Sequence, residues 1–95
     1  MHIPSSEADV ELRFIGIDPN TGTSESPTVW VDEKEQELVI QGWKPTPELE
    51  AAAAAFTVPG HAVGIPDHEA VVRVPARMVT VLREACDALE RAAVS

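Results

Sequence analysis

Hydrophobic and polar positions repeat with two periods along this 95-residue chain, and each period marks its own kind of element. The helical period occupies the C-terminal stretch. At about 100° of rotation per residue, Met78, Val79, Val81, Leu82, Ala85, Cys86, Ala88, Leu89, Ala92 and Ala93 fall in one half of a helical wheel. Arg77, Thr80, Arg83, Glu84, Asp87, Glu90 and Arg91 fall in the other half. The pattern predicts a long amphipathic helix opening at Pro75, whose missing N–H is no loss in a first turn. Leu82, Leu89 and Met78 lie mid-arc and are expected to be its deepest residues. Cys86 is expected to be a small core residue.

The period of two marks strands. Val10, Leu12 and Phe14 alternate with Glu11 and Arg13 and lead to Ile15 and Ile17, a strand with one wet face. Thr28–Val31 and Glu37–Trp43 form a predicted hairpin around the charged tip from Asp32 to Gln36. Thr46-Pro47-Glu48 reads as an N-cap followed by Pro at the first helical position, opening a short helix from Leu49 to Phe56. TVPGHAVGIPDH (Thr57 to His68) is a loop in which Ala62 to Ile65 is a candidate short strand. The valines of Glu69–Val74 predict a last strand buried on both sides. The sum is an α+β domain: an antiparallel sheet of about four strands covered by a long C-terminal helix, with one short additional helix. Residues 1–9 are expected to form a flexible leader, and residues 10–95 a single domain.

Charge narrows the function. The net charge is −9. Residues 1–50 hold eleven Asp or Glu against three Lys or Arg; residues 51–95 hold five against four. An acidic face repels nucleic-acid phosphates and attracts basic proteins, so direct nucleic-acid binding is not expected. A single cysteine, Cys86, excludes an intrachain disulfide, and the chain reads as cytoplasmic. No apolar run approaches membrane-spanning length, and the N-terminus lacks a signal-peptide pattern.

Candidate chemistry is sparse. Asp18 and Asn20 stand two apart as in a calcium loop, but Gly22, Thr23 and Val29 occupy positions where such a loop needs a ligand, a glycine and a bidentate Glu. A turn supported by Asp and Asn side chains fits better. His61 and His68, flanked by Asp67 and Glu69, fall short of the three or four converging ligands of a transition-metal site. There is no nucleophile elbow and no phosphate-cradling glycine loop, so neither catalytic, metal nor cofactor residues are assigned. Three features point to binding. Trp30 and Trp43 lie in the hairpin, and Trp30 points opposite to Val29 and Val31; it is either an anchor on the outer face or core beneath the short helix. Asp32, Glu33, Glu35 and Glu37 form an acidic tip that suits a basic partner. Arg73 and Arg77 flank the strand–helix junction and either receive an anion or pair with structural carboxylates.

The runs FIGIDP (Phe14 to Pro19), SPTVWVD (Ser26 to Asp32), VIQGW (Val39 to Trp43) and HEAVVRVPARM (His68 to Met78) resemble small uncharacterised actinobacterial proteins encoded beside helix-turn-helix regulators. Those regulators govern development or antibiotic production. The resemblance implies a non-enzymatic partner of a DNA-binding regulator, in an antitoxin-like arrangement, and supplies no active-site residues. The expectation is a small acidic interaction module binding the regulator through Trp30, Trp43 and the tip acids. The alternatives are a carboxylate- or phosphate-binding domain using Arg73 and Arg77, and a self-associating module. A homodimer would form through the small-residue edge Val81, Ala85, Ala88, Ala92.

Overall fold

The computed structural model describes residues 10–20 and 26–94. The expected leader, 1–9, and residues 21–25 of the polar loop lie outside the described residues. The chain gathers into two compact units: residues 42–74 form one, and the chain up to Gln41 together with that from Pro75 onward forms the other.

In the larger unit, three antiparallel strands lie in the order β1 (Arg13–Ile17), β2 (Thr28–Asp32), β3 (Glu37–Gln41). The β2–β3 ladder is regular, pairing Thr28 with Gln41, Val29 with Ile40, Trp30 with Val39, Val31 with Leu38 and Asp32 with Glu37. The β1–β2 ladder is not. Phe14 pairs with Trp30 and Gly16 with Val29, so Ile15 is an extra residue, a β-bulge. A single 3₁₀ turn (Ala76–Met78) feeds a long helix (Val79–Val94), which packs on all three strands. Pro75 therefore stands just outside the helix, in extended conformation, rather than in an α-helical first turn.

In the smaller unit, helix α1 (Pro47–Ala55) begins where its cap signal predicts: Thr46 Oγ1 accepts from Leu49 N–H at 3.1 Å. It buries none of its residues. The long C-terminal helix of the larger unit is accordingly α2. Ala62–Ile65 forms no strand, and Glu69–Val74 contributes only one antiparallel bridge, Arg73 with Trp43. The sheet thus has three strands, not about four. Prolines explain why the bridge stops. Extending its register pairs Pro45 with Val71 and Pro75 with Gln41, and each proline lacks the N–H the next rung needs.

Of the three residues expected to be deepest, Met78 is fully buried but Leu82 and Leu89 are not. Met78, Ala85 and Ala88 are buried with Val29 and Val31, whereas Leu82 and Leu89 are half-buried and Cys86 is exposed. The reason is close approach. A Cβ placed on Gly16 would stand 2.8 Å from Val81 Cγ1, so the sheet yields room there and the small-residue edge of α2 seats against it. That edge, Val81, Ala85, Ala88 and Ala92, is buried or half-buried, so it is spent within the chain rather than offered to a second helix. Cys86 lies roughly 100° round the wheel from Ala85, on the wet margin, and is not a core residue. No helix among the described residues is long and apolar enough to cross a membrane.

Candidate partner-binding surface

The bulge decides which side chains share a face. Gly16 lies against Val81, so Gly16 and its partner Val29 mark the helix-covered face of the sheet. Trp30 points the other way, and its cross-strand partners Phe14 and Val39 point with it. A row Phe14–Trp30–Val39 consequently crosses the outer face, with Ile17 on the next row beside Thr28. Phe14 is 58% exposed and Ile17 45%, while Trp30 and Val39 are half-buried. Alternation alone does not reveal Phe14 as a site residue. It puts Phe14 on the same face as the residue two further on, but the extra residue at Ile15 reverses that parity, sending Phe14 outward and Gly16 inward.

The acidic tip closes the hairpin to one side of this row, two residues along the strands from Trp30 and Val39. Residues 33–36 form a four-residue loop. Asp32 Oδ1 accepts from Glu35 N–H at 3.0 Å, Gln36 Nε2 donates to Glu33 O at 2.7 Å, and Gln36 takes the left-handed φ of 59° that completes the turn. Glu33 pairs with Arg13 at 3.0 Å, both side chains about half exposed, so this pair is worth little. Glu33, Glu35 and Glu37 are exposed and Asp32 is half-buried. The tip acids and Trp30 thus belong to one hairpin. Asp32 and Glu37 share the outer face with Trp30, since both sit an even number of residues along their strands from the Trp30–Val39 pair.

Trp43 belongs to the smaller unit and is committed there. The Arg73 guanidinium lies 5.2 Å from its ring centroid, a cation–π distance, and Trp43 and Arg73 exchange backbone hydrogen bonds of 2.8 and 2.9 Å. Trp43 Nε1 is buried without a hydrogen-bond partner among the described residues. Arg73 Nε also donates to Lys44 O at 3.1 Å.

Arg77 is equally committed, in the larger unit. Its Nε and Nη2 donate to Asp18 Oδ1 and Oδ2 at 2.6 and 2.7 Å, a bidentate pair. Asp18 is buried and also accepts from Asn20 N–H at 3.0 Å. The turn expected in place of a calcium loop is thus held by the Asp18 side chain, with Asn20 contributing its backbone N–H. The Arg77 hydrogen bonds hold the Asp18 carboxyl below its ordinary pKa, aided by the Asn20 amide and opposed by burial; the same hydrogen bonds raise that of Arg77. Each arginine considered for an anion is thus engaged within its own unit. His61 and His68 are exposed, and among the described residues no three His, Cys, Asp or Glu side chains gather to hold a metal ion.

Protein-family models, curated proteins and solved structures yield no match to this chain.

Proposed function

We propose that this chain is a small, acidic, non-enzymatic interaction module that docks a basic surface of a helix-turn-helix transcriptional regulator on the outer face of its sheet and modulates it. The observation that carries this reading is the row Phe14–Trp30–Val39, apolar and partly exposed on the face of the sheet opposite α2, with the acids of the hairpin tip two residues along the strands beside it. An aromatic centre with a charged rim is the usual anatomy of a recognition surface. The regulator as partner class comes from the sequence resemblance, and the −9 charge agrees with a basic counterpart. The carboxylate-binding alternative is less favoured because Arg77 already holds Asp18 and Arg73 already caps Trp43.

Binding kinetics test the proposal, using the regulator recovered by co-purification from the native host. Trp30→Ala is expected to shorten the lifetime of the complex, with a loss of at least about 2 kcal/mol for an interface anchor. Glu33→Lys with Glu35→Lys is expected to slow association and flatten its salt dependence, since rim charges act on the on-rate. A regulator that binds both variants like the parent protein would rule out this face. The melting temperature of Trp30→Ala separates a lost contact from a lost fold.

A further inference from the structure

The alternation predicts a strand from Val10, whereas β1 opens only at Arg13. Val10, Glu11 and Leu12 keep the pattern of a strand but have none beside them, and Val10, Leu12 and Phe14 stay 57%, 42% and 58% exposed. β1 is an edge of the sheet: it pairs with β2, and no described residue bridges its other side. Open space flanks Arg13. One cleft is shared with Glu11, Leu12 and Glu33, another with Phe14 and with Glu84 and Arg91 of α2, and both are lined by the larger unit alone. The bulge at Ile15 blunts this edge only from that residue onward. The five residues before it, Val-Glu-Leu-Arg-Phe, contain neither a bulge nor a proline.

We infer that residues 10–14 pair antiparallel with residues 10–14 of a second copy of this chain, about a two-fold axis through Leu12, giving a continuous six-stranded sheet. The segment is complementary to itself in this register, and that selects the occupant. Val10 stands beside Phe14 of the second copy and Leu12 beside Leu12, all apolar. Glu11 stands beside Arg13 of the second copy, and the two-fold axis repeats the pair, so two cross-strand ion pairs form. Moving the axis by one residue puts Glu11 beside Glu11 or Arg13 beside Arg13, and in-register parallel pairing does both. Within one chain Arg13 is taken by Glu33, while Glu11 has no ion pair among the described residues. The second copy's Arg13 supplies one. Phe14 lies on the outer face with Trp30, and alternation carries Leu12 and Val10 with it. The dimer therefore joins the two outer rows through its central pair of Leu12 side chains. It does not depend on the regulator reading, since it rests on the edge of the sheet whatever docks on the outer face.

Sedimentation equilibrium of the full chain tests it. The expected mass is twice the 10.2 kDa of one chain. Glu11→Arg sets cation against cation at both ends of the paired stretch, and Arg13→Glu sets carboxylate against carboxylate. Each alone is expected to weaken the dimer about ten-fold or more. An equimolar mixture of the two variants is expected to recover the association as a heterodimer, because every facing pair is again of opposite sign. Both positions are exposed, so the fold does not depend on them, and unchanged melting temperatures check this. Leu12→Cys in a Cys86→Ser background is expected to give a covalent dimer on mild oxidation, because residues opposite each other stand about 5 Å apart at Cβ. Phe14→Cys in the same background is expected not to cross-link, because the two Phe14 positions lie about 13 Å apart along the strands. A chain that remains monomeric to about 1 mM overturns the inference. So does a mixture of the charge variants that associates no better than its components, or a Phe14→Cys variant that cross-links as readily as Leu12→Cys.

Discussion

Asp18 shows how much one side chain can tie together in a domain this small. It follows β1, its N–H donates to Pro27 O at 2.9 Å across the polar loop, and its carboxylate grips Arg77 in the 3₁₀ turn ahead of α2. Because its folded pKa lies below the ordinary 3.8, its stabilising contribution is complete above that value. The contribution is lost as pH falls through 3.8 towards the lowered folded value, where the unfolded chain takes up the proton first. Melting temperature measured against pH should therefore fall on the acid side below about pH 4. Asp18→Asn should lower the neutral-pH value and flatten that acid limb. An acid limb of the same slope in the variant would show that other carboxylates cause it. A second residue-scale expectation concerns the core. Met78 is fully buried, so Met78→Ala should cost roughly 2–5 kcal/mol in denaturant unfolding. Leu82→Ala and Leu89→Ala, at half-buried positions, should each cost about half as much, roughly 1–2 kcal/mol.

At the scale of elements, local patterns are legible in the sequence wherever a period runs unbroken. The hairpin, its charged tip, the short capped helix and the long amphipathic helix all stand where alternation, cap chemistry and the 3.6 period place them. That Trp30 faces away from Val29 and Val31 is readable for the same reason. What is not readable depends on tertiary pairing. The valines of 69–74 have strand propensity, but the prolines at 45 and 75 remove the donors a fourth strand would need. The bulge at Ile15 leaves no mark in the alternation of side chains, so the place of Phe14 beside Trp30 cannot be foreseen. Nor does a wheel say that α2 rolls towards its alanines, because that depends on Gly16 lying opposite. Gly16→Ala tests this fit: the added methyl meets the branched, immobile Val81 and should destabilise by roughly 1–3 kcal/mol. Adding Val81→Ala should recover part of the loss, and a double-mutant cycle without coupling would mean the helix is not seated there. Helix α1 is a contrast, since it buries nothing and rests on its cap. Thr46→Ala should cost that helix about 1 kcal/mol, visible as faster amide exchange confined to its residues.

For the molecule as a whole, charge sets what it approaches. Of the sixteen acidic residues, eleven lie in the first fifty positions, against three basic ones there, and four of those acids crowd the hairpin tip. A DNA duplex carries about one negative charge per 1.7 Å of its axis, and proteins bind it chiefly by displacing its counterions with Lys and Arg. Of the seven Lys and Arg in the chain, three already have partners: Arg13 with Glu33, Arg73 with Trp43 and Arg77 with Asp18. Too few cations remain, too widely spaced in sequence, to form a phosphate-tracking stripe. The isolated protein is therefore expected to leave duplex DNA unshifted in a mobility-shift assay at about physiological salt. Lowering the salt should not rescue binding, because like charges repel more strongly when screening is reduced. In the presence of a helix-turn-helix regulator and its operator, the same protein should alter the regulator's shift, either by joining the complex or by removing the regulator from DNA. Reversing Glu33 and Glu35 to Lys should weaken that effect mainly at low salt, whereas Trp30→Ala should weaken it at every salt concentration. A specific, salt-sensitive shift produced by the pure protein alone would instead place the chain among direct DNA readers and overturn the account of its acidic face.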